Sequence, residues 1–329
     1  MDLQLFFKIP PPLDPEWIQH EQTASGLLSP NKVTDVKAYQ QIYSKACRDR
    51  NAMLLTTRDV ALGFGIKTEN SSIPTEGHQI PIRCYYPSSK PTPAASLSII
   101  YYHGGGLKVG DLDSEDLACR RICKGLQITV YSVEYRLLPD FAPDTAILDA
   151  WAAFTSLCEK QDIVLVGSSS GGQLAATVSQ LALQRGLGDK IKGVLLRCPV
   201  TSDCTSVAFP AAYKDKHHSM QPAFWTSLQG AAVIDRPVEY RFPLEADPEL
   251  LRRAPRHWIQ LTTNDVYYSD GICYADLLKR ARVDVRLDVV TGWPHTFWLK
   301  APLLDRASRA ETDMIEGLKW LCESKDERA

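Results

Sequence analysis

Short apolar runs alternate with longer amphipathic stretches along most of this chain. Leu97–Tyr102, Ile128–Val133, Ile163–Val166 and Val194–Leu196 are apolar runs bounded by Gly, Pro or charge. Runs of that length predict strands buried on both faces. Ser114–Gly125, Pro143–Glu159 and Gly172–Arg185 lie between them and read as helices. In the last, Leu174, Val178, Leu181 and Ala182 share one face, and Gly186 follows as a helix-stop residue. This alternation predicts an α/β fold with a mostly parallel sheet and helices on both faces. Gln79–Tyr86 reads as a further strand, and Pro87–Ala95 as a loop. The rhythm breaks between Thr201 and Pro255, where Pro, charge and aromatics (Phe209, Tyr213, Phe224, Trp225) accumulate. That segment reads as an insertion capping the sheet. The rhythm resumes with strand Trp258–Leu261, helix Gly271–Arg280, strand Val283–Val290 and a closing helix near Ala310–Glu323. Residues 1–60 read as amphipathic helices after a Pro-rich start. The expected organisation is therefore amphipathic helices over 1–60, then an α/β domain over 61–329 with its cap insertion at about 201–255.

Composition narrows the class. The chain has 329 residues, 44% hydrophobic and 23% charged, with net charge -2. Those are values of an ordinary globular protein, with no electrostatic footprint for nucleic acid or an anionic membrane. No run approaches ~18 apolar residues, so no membrane helix is expected. Asp2 and Pro10 spoil the start as a signal peptide. Nine scattered cysteines, an odd number, predict reduced thiols and a cytoplasmic location. Cys119 and Cys123 could share a helix face, but no His or Cys pairs of metal spacing accompany them, so neither metal nor redox cofactor is expected. Asn70-Ser71-Ser72 reads as a chance match to a glycosylation acceptor.

Candidate chemistry centres on Ile163–Gly172, a strand, a tight turn and a helix start around Gly167-Ser168-Ser169-Ser170-Gly171. Such an elbow projects Ser169 at a helix N-terminus, where partial positive charge favours a developing oxyanion. The flanking glycines are required because side chains there would clash with the neighbouring strand and helix. His103-Gly104-Gly105-Gly106 follows a strand, and bare backbone there can approach a carbonyl oxygen. Gly105, Gly106 and Ser170 are the expected oxyanion-hole donors. His103 is expected to hold the loop's shape. A base should follow an acid in chain order. His295, in Gly292–Phe297, and Asp265, after Trp258–Leu261, meet that order at the strands' carboxyl ends. Asp270 and Asp288 remain rival acids, the first a possible helix cap and the second inside a strand. His217-His218 reads as a solvated part of the cap, His20 and His78 as surface residues, and His257 has no comparable setting.

These motifs together resemble the hormone-sensitive-lipase-like α/β-hydrolases, a carboxylesterase family. The likeness runs from about Ile80 onward. It rests on His103–Gly106, Glu134-Tyr135-Arg136-Leu137 with Pro139, the Ser169 elbow, Asp265 with Asp270-Gly271 and Tyr274-Ala275, and His295-Thr296-Phe297. The resemblance implies an eight-stranded sheet, a helical cap built from the N-terminal helices plus 201–255, and ester hydrolysis without a cofactor. Members usually carry an acid where Ser168 stands, alanine where Ser170 stands and an aromatic where Leu107 stands. Those departures leave substrate preference open.

The expected partner is a small-molecule ester or thioester. An exposed C-terminal strand or helix could support a homodimer. The first reading is a serine esterase working through an acyl-enzyme. The second is a pathway-specific hydrolase, thioesterase or cyclase acting on a biosynthetic intermediate such as a polyketide. A remoter third is a non-catalytic ligand receptor of the same fold, which the family implies would lack a histidine at position 295.

Overall fold

A computed structural model describes residues 3–24, 35–88, 97–224 and 241–323. Eight strands form one sheet: β1 (Ile66–Thr75), β2 (His78–Pro87), β3 (Leu97–Tyr102), β4 (Val130–Val133), β5 (Asp162–Ser168), β6 (Ile191–Arg197), β7 (His257–Asn264) and β8 (Val285–Pro294). Their spatial order is β1-β2-β4-β3-β5-β6-β7-β8. From β4 to β8 every pairing is parallel; β1 and β2 pair antiparallel, and β2 joins β4 antiparallel.

Side-chain alternation sorts each central strand between two cores. Ile100 and Tyr102 of β3, with Ile163 and Leu165 of β5, face helices α4 (Thr145–Cys158), α5 (Ser170–Gln184) and α7 (Tyr268–Arg280). Ile99, Tyr101, Val164 and Val166 face the other way, onto α3 (Asp116–Leu126) and, after the short α8 (Phe297–Lys300), α9 (Asp305–Cys322). Burial on both faces is why these strands are apolar without interruption. Gly186 follows α5 at φ 75, the left-handed stop expected of it.

β1 is an element the apolar pattern missed. Lys67, Thr68, Glu69, Asn70, Ser71 and Ser72 are all exposed on this edge strand, and Ile73 is its one buried residue. It is held by backbone pairing to β2 from Ile66↔Pro87 to Thr75↔His78. The Asn70-Ser71-Ser72 match lies on it.

The N-terminal region supplies α1 (Pro15–Ala24) and α2 (Val36–Thr56). α2 is fastened to the body by polar contacts. Gln40 Nε2 donates to Lys108 O at 2.7 Å, Asn51 Nδ2 to Asp113 O at 2.7 Å, and Arg50 to Ser114 O and Leu299 O. In the segment 201–255 the described residues form short turns, 211–213, 222–224 and 243–245, and one four-residue helix, α6 (Pro248–Leu251). Phe209, Tyr213, Phe224, Leu244 and Leu251 from this segment are buried in the larger core. Trp225 lies outside the described residues, as do 225–240 and most of the loop expected at 87–95. No helix among the described residues is long and apolar enough to cross a membrane.

Candidate active site

β5 ends at Ser168 and α5 begins at Ser170, leaving Ser169 alone in the turn. Its backbone sits at φ 54, ψ -121, a conformation that costs a side-chain-bearing residue about 1–3 kcal/mol. Neighbouring bonds hold it there. Ser169 N–H donates to Arg197 O at 2.8 Å, and Ser169 O accepts from Gln173 N–H at 3.1 Å. The two glycines permit the crossing. A Cβ on Gly167 would lie 2.1 Å from Gly171 O, and one on Gly171 would lie 2.0 Å from Tyr102 O. Helix backbone therefore forbids a side chain at the first, and strand β3 forbids one at the second.

Asp265 follows β7 directly and His295 follows β8 directly, so both stand on the same sheet edge as Ser169. His295 Nε2 lies 2.8 Å from Ser169 Oγ, and His295 Nδ1 lies 2.7 Å from Asp265 Oδ2. All three residues are buried. Asp265 is fixed on its other side: Tyr267 N–H donates to Oδ1 at 2.8 Å, and Thr262 Oγ1 donates to Oδ2 at 3.2 Å. The Tyr267 ring lies 5.2 Å from the imidazole, and burial pushes its phenol well above the usual range.

The N-terminal segment braces these two loops, a role the sequence did not signal. Asn264 Nδ2 donates to Pro11 O at 2.8 Å, and Asp14 N–H donates to Gly292 O at 2.9 Å. Tyr268 OH donates to Leu5 O at 2.7 Å. Trp17, 2% exposed, packs on Trp293 in a small core with Phe297 and Trp298.

The glycine loop follows β3. Gly105 and Gly106 take φ 125 and 64; a Cβ on Gly105 would fall 2.0 Å from Val109 O. Neither N–H donates to an acceptor among the described residues. Ser170 N–H is the first of α5 and has no intrahelical acceptor. His103 is fully buried and stacks on Tyr135 at 4.3 Å. Its Nδ1 meets Gly104 O at 2.7 Å, and burial pushes the imidazole down, keeping it neutral. The Gly104 contact lies within the loop, as expected, while the Tyr135 contact ties the ring to the segment after β4.

The rival acids lie elsewhere. Asp288 accepts from Gln260 Nε2 at 2.8 Å. Asp270 sits inside the first turn of α7 and does not cap it. It accepts from Thr201 N–H and Ser202 N–H, each at 2.8 Å, and meets His217 Nε2 at 2.8 Å. The reading of His217 as solvated is thereby corrected: its side chain is 2% exposed and meets the Phe209 ring edge-on. Ser202 Oγ also meets His217 Nε2, at 3.1 Å. Serine and aspartate thus share one nitrogen, and Nδ1 has no partner among the described residues, so this second Ser-His-Asp group lacks the relay geometry of serine on one ring nitrogen and aspartate on the other. The histidines read as surface residues, His20 and His78, are both half-buried, and His257 is fully buried.

Cys198, Asp265 and His295 offer ligand atoms within 4.8 Å of one another. Burial pushes the Cys198 thiol well up, which opposes the thiolate a metal needs, and the other two already bond each other. Two further residues near the elbow gave no sequence signal. Arg197, 0% exposed, donates to Glu311 Oε1 and Gln260 Oε1 at 2.8 Å and covers the Trp298 ring at 3.8 Å. Glu115 accepts from Gly104 N–H at 2.9 Å.

Residues 99–299 match the family described as alpha/beta hydrolase fold. The chain belongs to that family. It is a hydrolase of the carboxylesterase type. It is 28% identical over 257 residues to versiconal hemiacetal acetate esterase of Emericella nidulans, covering 74% of this chain and 88% of that one. An esterase structure from Pyrobaculum calidifontis superposes with TM-score 0.75 at 25% identity, covering 95% and 100% of the two chains. The chain is also 31% identical over 289 residues to the FAD-linked oxidoreductase pytB of Aspergillus terreus. That match takes in 83% of this chain but spans only 35% of that protein's length.

Proposed function

We propose that the protein hydrolyses carboxylic esters through an acyl-enzyme on Ser169, with His295 as base, Asp265 as its orienting acid, and Gly105, Gly106 and Ser170 N–H as the oxyanion hole. The observation that carries this reading is the relay from Ser169 Oγ through His295 to Asp265, at 2.8 and 2.7 Å.

In the proposed reaction, His295 Nε2 takes the Ser169 proton as Oγ attacks the ester carbonyl. The carbonyl oxygen becomes negative against the three backbone donors. His295 then gives its proton to the departing alkoxide, and the alcohol leaves. Water, deprotonated by the same nitrogen, attacks the acyl-enzyme and releases the acid. Asp265 holds Nδ1–H toward itself, keeps Nε2 free to accept, and stabilises the imidazolium. The proposed cap comprises residues 1–60 and about 201–255. It is supported by the bonds of Leu5, Pro11 and Asp14 to the Asp265 and His295 loops, and by Ser219 Oγ donating to Val266 O.

A second reading, turnover of a biosynthetic intermediate, is favoured by the likeness to an esterase named for versiconal hemiacetal acetate. A screen of short-chain p-nitrophenyl esters with a fluorophosphonate probe tests the common core. Wild type should turn over and label, and Ser169→Ala should do neither. Retention of both behaviours by the variant would remove Ser169 from the mechanism. A thioester and acetate-ester panel then separates the two substrate classes.

A further inference from the structure

The two neighbours of Ser169 are each bonded to the glycine loop or to its anchor. Ser168 Oγ–H donates to Glu115 Oε1, the same oxygen that accepts Gly104 N–H at 2.9 Å. Tyr101 OH donates to the other carboxylate oxygen. On the far side, Leu107 N–H donates to Ser170 Oγ at 3.3 Å. Ser168, Ser170, Tyr101 and Glu115 are all buried, Glu115 at 5% exposure. Positions 104 and 107 bracket Gly105 and Gly106, so the bracketed pair is pinned at both ends to the elbow. Loop and elbow also touch directly, since a Cβ on Gly104 would lie 3.1 Å from Ser168 O.

We propose that Glu115, Ser168 and Ser170 are positioning residues that hold the oxyanion donors in register with Ser169 Oγ; this rests on the nucleophile and oxyanion assignments above. A glycine-rich loop has large backbone freedom. Its donors stabilise a developing charge only where they are fixed before the charge forms. Glu115 supplies that fixity, and it also takes Gly104 N–H out of the hole. The remaining donors are the N–H groups of Gly105, Gly106 and Ser170. None of the three positioning side chains touches substrate, so their loss should spare substrate binding and weaken the transition state.

The test measures kcat and KM on p-nitrophenyl butyrate, and affinity for a trifluoromethyl ketone, whose adduct with Ser169 places an oxyanion in the hole. Ser168→Ala should lower kcat about 10-fold, a fraction of the loss of a whole donor, and Glu115→Ala about 100-fold, comparable to the loss of one donor. Ketone affinity should fall by the same factors while KM stays within about two-fold. Glu115→Gln, whose amide oxygen still accepts Gly104 N–H, should recover most of the loss. Ser168→Ala alone decides the matter where Glu115→Ala does not fold. Full kcat and full ketone affinity in Ser168→Ala would overturn the proposal, as would a loss confined to KM and melting temperature. Fluorophosphonate labelling separates the failures. An unlabelled Ser169 in wild type sinks the nucleophile reading, whereas a labelled wild type with unimpaired variants sinks only the positioning role.

Discussion

Asp265→Asn should lower kcat by about four orders of magnitude without disturbing the fold. Asp265 Oδ1 is committed to Tyr267 N–H at 2.8 Å, and Oδ2 to His295 Nδ1 at 2.7 Å. In the variant, the side-chain oxygen must take the Oδ1 position, because an amide NH2 there would face the donating N–H of Tyr267. The NH2 then faces His295 Nδ1 as a donor. That selects the tautomer with its proton on Nε2, where it meets Ser169 Oγ at 2.8 Å and cannot accept. The same inversion in serine proteases costs about 10⁴ in kcat, about 5 kcal/mol of barrier. The assay is steady-state hydrolysis of p-nitrophenyl butyrate between pH 6 and 9, with near-ultraviolet circular dichroism to show retained packing. A folded Asn variant within 10-fold of wild type would refute the argument, because it would mean His295 does not depend on Asp265 for its tautomer.

Three further outcomes follow from buried charge and packing. Glu311→Gln should cost about 3–5 kcal/mol in urea unfolding at pH 7, because it leaves fully buried Arg197 without its carboxylate. Burial alone would raise the Glu311 carboxyl, but Arg197 and Arg121 outweigh it and hold it below the usual glutamate range; its stabilisation is therefore present at neutral pH, is lost as pH falls through that lowered value, and should be missing from the variant's acid limb. Burial pushes His257 down to about 4, so the unfolded chain binds a proton near pH 6.5 that the folded chain refuses; stability should fall by about 3 kcal/mol between pH 6.5 and 4, and unfolding midpoints of His257→Gln should lack that component. Trp17→Ala should cost about 3–5 kcal/mol and lower kcat as well, since Trp17 packs on Trp293 two residues before His295; unchanged kcat in a folded variant would separate the N-terminal brace from the catalytic loops.

Much of this architecture was legible because of how it is buried. β3, β5 and β6 are covered on both faces, so their composition alone marks them. Ser169, Asp265 and His295 were legible because each ends a strand on one sheet edge, and the elbow has a strong local signature. β1 left no apolar trace, since seven of its ten residues face solvent and backbone pairing holds it. Glu115 and Arg197 were silent for another reason. A charged residue beside an apolar run reads as a solvated boundary, and only the assembled fold supplies the Gly104, Ser168 and Glu311 partners that pay for their burial. His217 was misread in the same way. Lys214, Asp215 and Lys216 precede it, yet its ring turns inward to Asp270.

The central claim is that the acyl group passes through Ser169. Acid quenching during turnover of p-nitrophenyl butyrate, followed by peptide mass spectrometry, tests it directly. The account predicts a butyryl group on Ser169 in the wild type, and neither that adduct nor turnover in Ser169→Ala. A butyryl group on Ser202 in the His217–Asp270 cluster, or steady turnover with Ser169 never modified, would contradict it.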